Sequence, residues 1–152
     1  MKQPTFKWDA ETGTATYTIW DADGVMHTGT AVCHADDADM MNERTGLEIA
    51  CRRAQISAYK AFKYKTENEL SALKQLYYSM KHSSKFNPKA YESVMLYRQI
   101  RLKEEDLATV KEIITRERLN LKIYIAEKEA FYKQLRILRK RKAFEDAHDK
   151  AE

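Results

Sequence analysis

The sequence predicts an α+β fold: a small N-terminal antiparallel three-stranded sheet packed on a helix, then a helical region ending in a long C-terminal helix or a helical hairpin. Three observations carry this. Residues 14–20 alternate Ala15, Tyr17 and Ile19 with threonines, the period of a half-buried strand. From Glu43 onward the apolar spacing changes to three and four, the period of a helix face. Only four glycines and two prolines punctuate 152 residues, too few for a many-looped β protein.

Taken in order, Thr5 to Trp8 forms a short strand and Asp9 to Gly13 a turn, followed by the strand Thr14 to Trp20. Asp21-Ala22-Asp23-Gly24 supplies a second turn, with Gly24 suited to positive φ, and Val25 to Cys33 returns as the third strand. Three strands cannot enclose a core alone, so a helix must cover one face. Glu43 to Lys63 is that helix, its Leu47, Ala50, Cys51, Ala54, Ala58, Ala61 and Phe62 recurring on one side. Asp36, Asp37 and Asp39 precede it, where carboxylates favour the positive end of the helix dipole.

Thr66-Glu67-Asn68-Glu69 matches a capping box, which predicts a bend near Lys65 and a second helix carrying Leu70, Leu73, Leu76, Tyr77 and Met80 inward. KHSSKFNPK, residues 81–89, interrupts the pattern, and Asn87-Pro88 predicts the start of a third helix running through Glu105. Beyond it, Leu107, Val110, Ile114, Leu121, Ile125, Tyr132, Leu135 and Leu138 form one stripe. A stripe that long is hard to bury within a small subunit and points to self-association. The expected division is a ligand-binding domain over 1–105 and a C-terminal helical extension for oligomerisation over 106–152.

No apolar run approaches the roughly 20 residues of a membrane span, and the N-terminus lacks the apolar core of a signal peptide, so the expected location is the cytoplasm. Two cysteines, Cys33 and Cys51, sit in apolar patterns and read as buried thiols rather than a disulfide framework. Charge is uneven. Residues 1–48 hold three basic and nine acidic side chains, whereas the remaining 104 hold 24 basic and 14 acidic, so a polyanion-facing surface belongs after residue 48. The asymmetry equally suits pairing of an acidic head with the basic tail of another copy.

His27, Cys33, His34, Asp36, Asp37, Asp39 and Cys51 are of metal-ligating types, but no CxxC, HExxH or EF-hand spacing joins them. A solvated loop before the helix explains them better, and neither metal nor cofactor is expected. No GxSxG, GxxxxGK[ST] or GxGxxG occurs, which favours binding over catalysis. The richest cluster is the basic, aromatic turn from Leu76 to Arg101: Tyr77, Tyr78, Lys81, His82, Lys85, Phe86, Lys89, Tyr91, Tyr97, Arg98 and Arg101. Aromatic faces stack on nucleobases and cations neutralise phosphate, so the mixture suits a nucleotide or a single strand. Equally, Tyr77, Phe86 and Tyr97 fit a core with the lysines solvating it. Arg52 stands beside the small-residue helix face, placed either to fork onto a phosphate or to pair with a carboxylate, whereas Arg53 is expected to face solvent.

The order of parts then resembles a known family. A strand ending in GTAVCHADDAD, a helix reading ExxGxxIACRRAQ, the KHSSKFNPK turn and YESVMLYRQI look like the phage-encoded Thoeris anti-defence proteins of the first type, over residues 14–105. Those proteins are sponges for the cyclic ADP-ribose signal of a bacterial defence system. The resemblance implies a homo-oligomer, a dimer or hexamer in the host cytoplasm, that binds glycocyclic ADP-ribose at protomer interfaces without cleaving it. Some members of that family also hold cyclic trinucleotides at a separate site. By matching position the ligand would be held by Arg52, Tyr77 and Asn87, with Tyr77 where the family carries Phe. Tyr78, Lys85 and Phe86 from the turn, and Arg98 and Arg101 beyond it, complete the candidate set. The alternative from the residues alone is a small nucleic-acid-binding phage regulator using Arg136, Arg139, Lys140, Arg141 and Lys142.

Overall fold

A computed structural model describes residues 2–33 and 42–151. The chain forms strands β1 (Thr5–Asp9), β2 (Thr14–Trp20) and β3 (Met26–Val32), then helices α1 (Glu43–Lys81) and α2 (Tyr91–Ala151). The predicted α+β class and the three-stranded antiparallel sheet are both present, in strand order β1-β2-β3. The chain divides into two compact units, residues 1–54 with 118–152, and residues 55–117. The expected division at 105/106 falls inside α2 and inside the second unit.

In the first unit the turns set the register. The Asp9 carboxylate accepts from the amides of Glu11 and Thr12, and Gly13 takes φ +64°. Asp21 does the same for Asp23 and Val25 at 2.9 Å each, with Gly24 at φ +77°. The second carboxylate oxygen of Asp21 holds Nε2 of buried His27 at 2.8 Å. The resulting register pairs Ala15 with Ala31 and Tyr17 with Gly29, on the face that packs against the start of α1.

That packing is close because its residues are small. Ala15, Ala31 and Ala50 are buried together, with Trp8, Tyr17, Leu47 and Ile49 around them. A Cβ on Gly29 would lie 1.9 Å from the Ala50 carbonyl oxygen and 2.5 Å from the Ala54 amide nitrogen, so only glycine lets β3 touch the helix backbone. Gly46 is less tightly held: a Cβ there would lie 3.1 Å from the Ala15 Cβ and from the Trp8 ring. Asn42 caps the helix, its Oδ1 accepting from the Thr45 amide at 3.0 Å.

The sequence predicts a bend near Lys65, but α1 runs unbroken through it, and Thr66 is a buried mid-helix residue. No glycine or proline interrupts residues 57–65, and extending an existing helix is far easier than nucleating a new one. α2 is likewise a single helix with no break near residue 106. It begins at Tyr91 rather than Pro88. Asn87 instead forms a turn, its Oδ1 accepting from the Lys89 amide and its carbonyl from the Ala90 amide.

The second unit is a helical hairpin. Leu70, Leu96 and Ile100 are buried against Leu73, Tyr77, Met80 and Leu107, while Lys103 pairs with Glu69 and Lys74 with Glu104. Much of the stripe expected to drive self-association is used inside the chain. Val110 and Ile114 are buried, and Leu121, Ile125, Tyr132 and Leu135 are half-buried. In the first unit α2 returns past the start of α1, where Thr45 and Tyr132 share a hydroxyl hydrogen bond of 2.9 Å. No helix among the described residues is long and apolar enough to cross a membrane.

Gly29→Ala is expected to lower unfolding stability by about 3 kcal/mol, because backbone atoms of α1 must move to admit the methyl group. Thermal or urea denaturation checks this. A second expectation concerns pH. The hydrogen bond from His27, then those from the Val25 and Asp23 amides, hold the Asp21 carboxyl below its usual range. A lowered folded value stabilises the fold fully above the unfolded value of about 4, and this stabilisation is lost as the pH falls through the folded value. The stability gap between the native chain and Asp21→Asn should therefore be full near neutrality and close below about pH 4, as urea titrations at each pH would read.

Candidate functional site

Arg52 lies on the third turn of α1. Its Nε donates to Glu48 Oε1 at 2.9 Å, one helical turn back, and its guanidinium carbon sits 5.1 Å from the centre of the Tyr124 ring. Lys128 places its ammonium 5.4 Å from the same ring. Two cations thus lie against one aromatic ring. The two terminal nitrogens of Arg52 make no hydrogen bond to a described residue, so one edge of the fork is held and the other is presented. Of the two readings of Arg52, the pairing with a carboxylate is the one present. Tyr124 was not legible as part of a site. Its only sequence signal is a tyrosine four residues before Lys128 on a charged helix face.

Next to Arg52, the Cys51 thiol and Tyr17 hydroxyl are hydrogen-bonded to each other, and burial raises the pKa of each. Both cysteines are half-buried rather than fully buried, and a thiol pushed upward is a poor nucleophile. No disulfide joins Cys51 to Cys33. Arg53 is exposed, as expected, and also reaches the sheet. Its Nη1 donates to the Thr30 carbonyl at 2.6 Å, because the close approach of α1 to β3 brings the side chain to the strand. Beyond it a cavity of about 270 Å³ is walled by Trp8, Gly46, Ile49, Arg53, Ile125 and Tyr132.

The turn in the second unit brings Tyr77, Phe86 and Tyr97 together. The Tyr77 ring lies 6.1 Å from Phe86, edge on, and 6.0 Å from Tyr97. Tyr77 and Phe86 are half-buried and close the end of the hairpin, whereas Tyr97 is exposed and hydrogen-bonded to the Arg101 guanidinium, whose pKa it raises. Tyr78 is exposed and lies on His82 at 4.1 Å, whose Nδ1 is 2.9 Å from the Tyr78 carbonyl. Asn87 is exposed, with its side-chain oxygen committed to the turn. The Lys85 amide donates to Ser83 Oγ, and its side chain is exposed, as is that of Arg98.

The structure therefore groups Tyr77, Phe86 and Tyr97 in the second unit, while Arg52 belongs to the first, with Glu48 and Tyr124. Residues 53–76 of α1 lie between Arg52 and Tyr77 without a turn. Of the metal-ligating residue types noted in the sequence, His34, Asp36, Asp37 and Asp39 lie outside the described residues. Among the described residues no three such side chains converge. Comparison of the chain with protein-family models, curated proteins and solved structures gives no match in any of the three.

The ring contacts of Tyr77 set an expectation that separates packing from binding. Tyr77→Ala should cost about 2 kcal/mol of stability, Tyr77→Phe almost nothing, and Tyr78→Ala under about 0.5 kcal/mol. Chemical denaturation of the three variants reads this directly.

Proposed function

We propose that the chain is a non-catalytic binding protein that sequesters a cyclic nucleotide signal of the cyclic ADP-ribose type, acting in the cytoplasm of a phage-infected cell. The observation that carries this reading is Arg52. A guanidinium fixed at one edge by Glu48 and supported by the Tyr124 ring is pre-organised to fork onto a phosphate with its other edge. Pre-organisation matters for a sponge, which acts by stoichiometric capture and gains affinity from every ordering cost already met before binding.

In this reading the pocket closes between copies of a homo-oligomer, a dimer or hexamer. One copy supplies Arg52; another supplies Tyr77 and Asn87, with Tyr78, Lys85 and Phe86 beside them. A diphosphate-bridged ring compound fits such a two-sided site, because it offers both an anion and a flat base. Arg98 and Arg101 are the candidates for a second ligand, a cyclic trinucleotide.

The test is to incubate the protein with cyclic ADP-ribose isomers, remove unbound ligand, and denature the complex by heat. Intact ligand is expected in the supernatant. Arg52→Ala should weaken capture by about 10- to 100-fold, the worth of one charge-assisted pair, and Arg52→Lys should not restore it. Recovery of hydrolysed product alone would make the protein an enzyme and overturn the proposal. Absence of capture, together with salt-sensitive binding of single- or double-stranded nucleic acid, would favour the regulator reading instead.

A further inference from the structure

The first unit leaves one face of α2 uncovered, and its side chains repeat with a coiled-coil period. Leu119, Ile123, Ala126, Ala130, Lys133, Ile137, Lys140 and Phe144 follow spacings of four and three without interruption. This is a strict seven-residue repeat. It differs from the stripe of Leu121, Ile125, Tyr132 and Leu135, which faces into the unit. Leu119 is 56% exposed, Ile123 48%, Ile137 51% and Phe144 74%. Four large apolar side chains on one face of a charged helix, all in water, are costly unless something covers them.

We propose that this seam is the docking surface for a second copy of the chain, with the two α2 helices running antiparallel. Direction follows from the residues. In a parallel pair Lys133 would meet Lys133 of the second copy, Lys140 would meet Lys140, and Ala126 would meet Ala126, giving two like-charge contacts and a void. In the antiparallel pair centred between Phe131 and Tyr132, Leu119 meets Phe144 of the second copy and Ala126 meets Ile137. Ile123 receives the apolar stem of Lys140, and Ala130 that of Lys133, so each small residue faces a larger one.

Charge agrees with that direction. Residues 119–131 balance Lys122 and Lys128 against Glu127 and Glu129, whereas residues 133–142 carry only basic charges. Reversing one helix sets the neutral first half of each copy against the basic stretch of the other, with Glu127 level with Arg136, whereas a parallel pair sets basic stretch against basic stretch. The seam extends about 37 Å, long enough for a stable two-helix contact. This inference rests on the exposed face alone and is independent of the ligand reading.

Light scattering after size-exclusion chromatography should give an even multiple of the 17.8 kDa chain mass. The double variant Ile123→Glu, Ile137→Glu should halve that mass while leaving the helical circular dichroism unchanged, since both side chains face solvent within one chain. Orientation is read by disulfide trapping in a background lacking Cys33 and Cys51. Leu119→Cys mixed with Phe144→Cys should cross-link heterologously, and neither should cross-link alone. A monomeric native chain, an unchanged mass in the glutamate variant, or cross-linking of Leu119→Cys with itself would each overturn the proposal.

Discussion

The contact between Gly29 and the backbone of α1 is the constraint on which the first unit depends. A three-stranded sheet exposes too much apolar surface to be stable alone, and one helix can cover it only by lying very close. Close approach requires the absence of side chains, which explains Gly29 over the Ala50 carbonyl and Gly46 against Trp8, with Ala15, Ala31, Ala50 and Ala54 between them. Larger apolar residues would bury more area per position but hold helix and sheet apart. The same closeness brings Arg53 to the strand and sets Cys51 against Tyr17, leaving Arg52 on the adjoining side with Glu48 and Tyr124.

The two units use the long helices differently. In the second unit ordinary large side chains interlock, with Leu70, Leu96 and Ile100 at the centre and ion pairs such as Lys74 with Glu104 on the rim. In the first unit α2 contributes polar and aromatic contacts: Tyr132 to Thr45, and Tyr124 to Arg52. Aromatics with one polar end suit a half-buried helix, because the ring packs while the hydroxyl keeps a partner.

The sheet, its turns and the inner face of α1 were legible because each rests on a local signal: a period of two, an Asp before a tight turn, small residues at helical spacing. The bend predicted near Lys65 is absent, because Thr-x-x-Glu is compatible with a cap and with an uninterrupted helix alike, and only tertiary burial of Thr66 decides between them. The stripe through Val110, Ile114 and Ile125 was recognised as apolar, but no sequence pattern states whether its partner is the same chain or another. For the candidate site, Arg52 was legible as one of two alternatives. Tyr124 was invisible, since it lies 72 positions away and meets Arg52 only through the return of α2. Tyr77 and Phe86 were found as a pair, and the structure gives them the packing role that was weighed beside the binding one.

The hydrogen bond from Arg53 to Thr30 has a consequence for how the chain is made. The Cys33 amide bonds to Gly13, so alternate residues of β3 face β2, and the Thr30 carbonyl therefore points away from the sheet, along an unpaired strand border. Such borders recruit other extended chains, and a cation placed on one is a common safeguard. Here the safeguard is encoded 23 residues after the carbonyl it covers. During synthesis the three strands leave the ribosome first, and their border stays open until α1 has emerged far enough to lay Arg53 across it. The safeguard thus depends on the same helix that covers the sheet, so edge and face are closed together.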